Sequence, residues 1–535
     1  MRSLVILAFF LSIISAPAEE PDFSAHLERG ETHLSRWQIG EASKSADSAL
    51  DLAKNNEDKA SAYFLKSQVE FFKGNYTQAK KFAEEAYSQN PKGKEIGNFL
   101  DYISRVSEVG GTFKEVRTER FVLRYGHAKD SILLSYAEDV LNKAYYEIGL
   151  DLEAYPPEPV IVEIYPDLKS FTLASTLSEK DIKTTGVVGI CKFNRIMILS
   201  PRLLPQGYSW FDTLAHEYTH YLIFLKSGNT VPVWLHEGIA KFQERRWKEK
   251  KRKVINPFYE TLLATAVKED SLVPIEKMHP SLGKLDSAYQ AQLAFAQVGT
   301  VVDFLVRKWG SQSLVDLLDV IREREDLELA IKEVTNMSFD DFYGLWVEDL
   351  REKNLNVRIP GLKVKELRFK QEKMRPQDQS EDLVDLDDAR AREYTRLGDL
   401  LGIRGRVKAA AYEYEKALHF DKDSPIIINR LASAQISQGE YDEAKKRLAA
   451  SLELYPEYVD THVNLGRIYM NKGKLNEAEK AYREAIAINP FNPEIHIALA
   501  TVYNKLGLTD LEEREKDILA TLLKDEPRID TNEGE

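Results

Sequence analysis

Residues 209–225, SWFDTLAHEYTHYLIFL, hold the pattern from which the rest of the chain can be read. Phe211, Leu214, Ala215, Tyr218, Leu222 and Leu225 recur at helical spacing, so the segment is expected to be one buried helix. His216 and His220 are four apart and therefore share a face, one turn above the other. That spacing lets two imidazoles reach a single zinc ion, and Glu217 beside the first can act as general base toward a water on that ion. Two buried histidines and a buried glutamate are costly without partners, and a metal is the simplest partner. The bland alternative is a pair of hydrogen-bonded core histidines.

The next segment, residues 231–242, VPVWLHEGIAKF, shifts the balance toward metal. Pro232 suits the start of a second helix, and Trp234 and Leu235 bring an apolar face onto the first. Glu237 follows His220 with 16 residues between them, enough for a turn and a return. Two histidines and a carboxylate, with a fourth position left to water, make a catalytic rather than a structural zinc site. Gly238 permits close helix approach.

H-E-x-x-H followed by W-L-x-E-G-x-A resembles the gluzincin metallopeptidases, the group that includes thermolysin and the aminopeptidase N family, and within it the bacterial peptidase MA-like domains. The resemblance spans about residues 110–350. It implies zinc, one per chain, held by His216, His220 and Glu237, with Glu217 as general base in the hydrolysis of peptide bonds. It also implies a mixed sheet whose edge strand binds substrate backbone, here Ile196–Leu199 or Gly186–Ile190, and a tyrosine or histidine that donates to the oxyanion. Tyr289 stands in a similar place. There are departures. His236 replaces the usual asparagine of aminopeptidases, and no G-x-M-E-N segment is present, so aminopeptidase activity is not implied. Lys241 stands where thermolysin-like enzymes carry an aspartate, which leaves Asp212, one turn before His216, as the expected partner behind a zinc histidine.

The 535 residues call for about three domains, and 43% hydrophobic residues suffice for packed cores. A net charge of −13 argues against nucleic acid as the main partner. Residues 1–18 read as a secretory signal: Arg2, an apolar run from Leu4 to Ile14 too short to span a membrane, and the small-residue triplet Ala16, Pro17, Ala18. The single cysteine, Cys191, excludes an intrachain disulfide, and an exported chain without one suits a bacterial periplasm.

Residues 19–108 read as tetratricopeptide-like hairpins, with Ala42 and Ala49 recurring as Ala79 and Ala86. The peptidase-like domain covers 109–352, and a linker 353–390, in which Val364 to Phe369 suits a strand. Thr118 to Tyr125 is expected at a sheet edge. The basic run from Lys241 to Lys253 is expected to continue the helix of Glu237 as a solvated face, or to attract an acidic substrate or a membrane surface peripherally. Gly405, Gly439, Gly473 and Gly507 recur every 34 residues, as do Leu397, Leu431, Leu465 and Leu499. That period, with Ala410, Ala444 and Ala478 behind it, marks four tetratricopeptide units over 391–526 before an acidic tail at 527–535. Such an array makes its own core from neighbour contacts and is expected to be dispensable for folding of the central domain. The expected architecture is mostly α: α-solenoid repeats flanking an α+β metallopeptidase-like domain with a small mixed sheet. The function expected is an exported zinc endopeptidase whose repeats recruit protein substrates or partners. The rival is a non-catalytic tetratricopeptide adaptor or envelope assembly factor.

Overall fold

The computed structural model describes residues 22–249, 254–279, 281–370 and 381–524. The expected signal segment and acidic tail, and residues 250–253 of the basic run, lie outside the described residues. The chain forms two compact units, one ending at Ser104 and one beginning at Arg105.

In the first unit, helices Phe23–Ser35 and Ile39–Leu52 form one antiparallel hairpin and Asn56–Phe72 and Tyr76–Gln89 a second. The alanines expected to let paired helices approach, Ala42, Ala49, Ala79 and Ala86, are fully buried.

The second unit is built on a five-stranded mixed sheet in the order β1-β2-β3-β5-β4: Lys114–Arg117, Phe121–Tyr125, Val160–Tyr165, Arg195–Leu199 and Gly189–Lys192 in that spatial order. β2, β3 and β5 run parallel, and β1 and β4 are antiparallel additions at the two rims. The hairpin β4–β5 turns through Phe193 and Asn194, both with positive φ. Thr118–Tyr125 is not an edge: β1 pairs outside it, because the hairpin supplies one more strand.

Helix Trp210–Ser227 crosses β4 and β5 and packs against helix Leu134–Leu152. Leu214, Ala215, Tyr218, Leu222 and Ile223 are all fully buried, whereas Leu225, expected inside, is 37% exposed because the last turn leaves the sheet. Helices Val233–Gln243, Pro257–Glu269, Ala288–Trp309, Gln312–Arg324, Leu327–Thr335 and Phe339–Glu352 complete the body.

Three further expectations are corrected. First, the helix of Glu237 stops at Gln243, and the described basic residues just after it, Arg245, Arg246 and Lys248, are half-buried and ion-paired rather than a solvated face. Arg246 pairs with Asp151 at 2.9 Å and Glu147 at 2.5 Å, Arg245 with Glu249 at 2.8 Å, and Lys248 with Asp212 at 3.3 Å. Second, Val364–Phe369 forms no strand. It runs extended along the peptidase-like body, with the Leu367 N–H donating to Lys183 O and the Lys370 N–H to Leu203 O, both at 2.8 Å. Leu367 and Phe369 pack on the cluster of Tyr165, Phe171 and Leu199.

Third, the C-terminal array is not a separate appendage. Its eight helices, from Ala389–Ile403 to Thr509–Leu523, belong to the same compact unit as the sheet. Trp210, fully buried at the start of the motif helix, donates Nε1–H to Ile486 O at 2.8 Å. The Tyr208 N–H donates to Ile488 O at 3.0 Å. Glu515, buried in the last helix, accepts from Tyr136 at 2.8 Å and pairs with His496 at 2.7 Å. Neighbour contacts alone would have left these groups in water; here they are satisfied across the join.

Trp210→Ala should therefore cost about 3–5 kcal/mol as a large core deletion. Trp210→Phe, which mainly removes the Ile486 bond, should cost nearer 1 kcal/mol. Urea unfolding followed by circular dichroism and tryptophan fluorescence should show sheet and array losing stability together. An array transition left unmoved by Trp210→Ala would mean that the two parts fold independently.

Candidate metal centre

The two motif segments meet because the first helix is stopped abruptly. Gly228 closes helix Trp210–Ser227 in the left-handed region at φ 66, and Asn229 follows at φ 68. The Thr230 hydroxyl donates to Ser227 O at 2.8 Å, and the chain turns back into helix Val233–Gln243 behind Pro232. Gly238 then lies so close to the helix Ala288–Trp309 that a Cβ would meet Val298 O at 2.7 Å, which locks the second helix in place.

The result is a triangle of donors. Glu237 Oε2 is 3.4 Å from His216 Nε2 and 3.4 Å from His220 Nε2, and the two nitrogens are 3.1 Å apart. Ligands about 2.0–2.2 Å from a tetrahedral zinc stand about 3.3–3.5 Å from one another, so the three atoms fit one ion without rearrangement. His216, His220 and Glu237 form a group that could hold a metal. Burial disfavours a charged Glu237, but His220 and His216 hold its carboxyl well below the usual range. Burial likewise opposes the charged form of His216, and Glu237 and Glu244 overcome it, raising the imidazole to about 10. The carboxylates of this pocket thus draw positive charge to the place where a cation would sit.

For Nε2 to offer a lone pair, each histidine must carry its hydrogen on Nδ1. His216 Nδ1 faces Glu244 Oε2 at 3.5 Å, and Glu244 is anchored by Lys241 at 2.8 Å. His220 Nδ1 is 2.5 Å from His236 Nδ1. Asp212, expected behind a histidine, is instead occupied by Trp247 Nε1 at 2.9 Å and by Lys248. Neither Glu244 nor the supporting place of His236 was read from sequence. Glu244 lies seven residues, or two turns, beyond Glu237, and the Lys241–Glu244 spacing was a signal that could have found it.

Glu217 does not join the triangle. It is buried between the histidines and edge strand β4, where it accepts the Cys191 backbone N–H, while Oε2 has no hydrogen-bond partner. Burial raises its carboxyl toward the neutral form against the pull of His220 and His216. Gly189 in β4 makes this placement possible: a Cβ there would stand 2.8 Å from Glu217 Oε1 and 2.9 Å from Cγ.

A cavity of about 850 Å³ opens beside these groups, lined by His216, Glu217, Glu237 and β4. Of the two expected edge segments, Ile196–Leu199 is excluded, since β5 lies between β3 and β4; the rim strand is β4, Gly189–Lys192. Tyr289 sits in the first turn of the helix Ala288–Trp309 and does not line the cavity, so its expected oxyanion role is set aside. Gln292 and Phe295 of that helix do line it, because they lie about one and two turns further on.

Among known proteins, the family model of the Peptidase MA superfamily matches residues 140–351. Tetratricopeptide models match residues 60–92, 403–453 and 436–503. No curated protein matches the chain. Among solved structures, a thermophilic tetratricopeptide protein of Thermus thermophilus is 25% identical over 25% of this chain and 74% of its own, with a TM-score of 0.24. MamA is 22% identical over 26% of this chain and 81% of its own, at 0.22. A chain of the APC/C hetero-tetramer Cut9–Hcn1 is 13% identical over 94% of this chain and 79% of its own, at 0.26. Residues 140–351 are therefore a Peptidase MA superfamily domain, and tetratricopeptide repeats flank it on both sides.

Proposed function

We propose that the chain is a zinc-dependent peptidase of gluzincin type that cleaves internal peptide bonds. The observation that carries this reading is Glu217: a buried carboxylate with a free oxygen, beside three metal donors yet outside their triangle. A site that only stored a metal would gain nothing from it, and an adaptor would have to bear its burial without return. Zinc held by His216, His220 and Glu237 would supply Lewis acidity and a water of lowered pKa. Glu244 and His236 orient the two imidazoles. β4 offers its outer edge to an extended substrate backbone. Glu217 accepts a proton from the attacking water through Oε2 and delivers it to the departing amine nitrogen. His236, whose Nδ1 accepts from His220, keeps Nε2 buried and unpartnered and replaces Tyr289 as the side chain to test for oxyanion donation.

The signal-like residues 1–18 support export, and the lone Cys191 supports a bacterial periplasm, as the place of action. Among the described residues no helix is long and apolar enough to cross a membrane. The repeats support a role in binding protein substrates or partners.

Purified protein should carry about one zinc per chain by mass spectrometry. His220→Ala should lose it and Glu217→Gln should keep it while losing casein-digest turnover by two orders of magnitude or more, about the size of a general-base effect. Stoichiometric zinc in His220→Ala would remove the ligand assignment. Undiminished turnover in Glu217→Gln would remove the peptidase and leave the adaptor.

Gly189→Ala offers a second check, because the added methyl displaces Glu217 without touching a ligand. Zinc should stay and turnover should fall by about tenfold to a hundredfold, the upper end being what a 1 Å misplacement can cost. Tyr289→Phe, outside the cavity, should retain turnover within about twofold, since no donor to the substrate is removed; a hundredfold loss would restore it to the site.

A further inference from the structure

One wall of the cavity comes from outside the peptidase motifs. Leu454, Tyr455, Pro456, Glu457 and Tyr458 line the same space as His216, Glu217 and Glu237. They form the loop between helices Tyr441–Leu454 and Val459–Asn471, the junction of the second and third C-terminal hairpins. The loop is pinned. His462 Nε2 lies 2.7 Å from Pro456 O, the Tyr458 N–H donates to Tyr455 O at 3.2 Å, and the third and fourth hairpins are tied to the motif helix through Ile486 and Ile488.

The charges of the cavity are unequal: six carboxylates and three lysines line it. Glu217 and Glu237 belong to the centre, Glu244 is held by Lys241, and Asp212 by Lys248 and Trp247. Asp181 and Glu457 remain, and only Glu457 stands on the array. It is exposed and makes no ion pair among the described residues. Arg245, within its electrostatic reach, is already paired with Glu249 at 2.8 Å. Tyr455 and Tyr458 flank it along the chain and line the same cavity, Tyr458 also packing on the array core. A carboxylate on a wall lined by aromatic residues suits a lysine or arginine side chain, whose stem packs on that wall while its head meets the acid.

We infer that the Leu454–Tyr458 loop is a substrate-binding wall of the cleft, and that Glu457 selects a cationic side chain in an extended peptide lying along β4. This rests on the peptide-cleft reading above. It makes the array a determinant of specificity at the site itself, beyond any recruitment through its other surfaces.

The test uses the full chain carrying Glu217→Gln, so that bound peptide survives. The probe is an equimolar set of N-acetylated, C-amidated decapeptides with Lys, Arg, Gln or Glu at one position and mixtures elsewhere, captured and counted by mass spectrometry. Lys and Arg peptides should be enriched over Gln by up to about fivefold, the upper range for an exposed ion pair. Adding Glu457→Gln should abolish the bias, and Glu457→Lys should turn it toward Glu. Asp181→Asn should leave it in place, and zinc content should not change in any variant. No bias in the parent, or an unchanged bias in Glu457→Lys, overturns the inference. If the bias is seen but the unmodified chain with zinc cleaves none of these peptides, the inference stands and the peptidase reading falls. Cleavage without any bias does the reverse.

Discussion

Three donor atoms within 3.4 Å of one another, in an interior that disfavours charge, are what the rest of this molecule sustains. Each imidazole needs a counterpart behind it. His216 has Glu244, Glu244 has Lys241, and the Lys241 ammonium lies 4.5 Å from the centre of the Tyr259 ring. His220 has His236, which stacks on it at 4.6 Å and leans on Phe224. The chain of partners turns two flexible imidazoles into fixed ligands with their Nε2 atoms facing one point, a geometry that loose side chains would not hold.

The same economy explains the basic stretch after Glu237. It reads as surface charge, but Arg245, Arg246 and Lys248 are spent on Asp212, Asp151, Glu147 and Glu249. These pairs tie the segment following the second helix to the start of the first and to helix Leu134–Leu152. Most are half-buried, where each partner left alone would be costly, so they serve position more than net stability. The array acts on the same join from the other side. Trp210 is one residue from Phe211 and six from His216, and its indole is fully buried against Ile486. The helix that carries the histidines is therefore held at its start by the repeats and at its end by Gly228.

Much of this was legible in the residues. Helical spacing of apolar side chains announced the motif helix, and the four-residue step of the histidines announced their shared face, because both follow from 3.6 residues per turn. The 34-residue period announced the C-terminal hairpins, because a repeated unit must repeat its small residues where helices touch. Gly238 against the helix Ala288–Trp309 was a local necessity of the same kind.

What the residues did not disclose is everything that depends on two distant segments choosing each other. Asp212 and Glu244 are equally plausible partners for a histidine on spacing alone; only the packed chain gives Glu244, two turns beyond Glu237, to His216 and leaves Asp212 to Trp247 and Lys248. Tyr289 and Glu457 reverse roles for the same reason. One is nearer the motifs in sequence yet does not line the cavity, and the other is over two hundred residues on yet lines it. Periodicity states which face of an element is apolar, so sequence alone determined the helices, the repeats and the His–His–Glu set. It does not state which apolar face meets which, since hydrophobic burial has no direction of its own. The docking of the repeats on the peptidase domain, and with it the second wall of the cleft, was decided only when the faces packed.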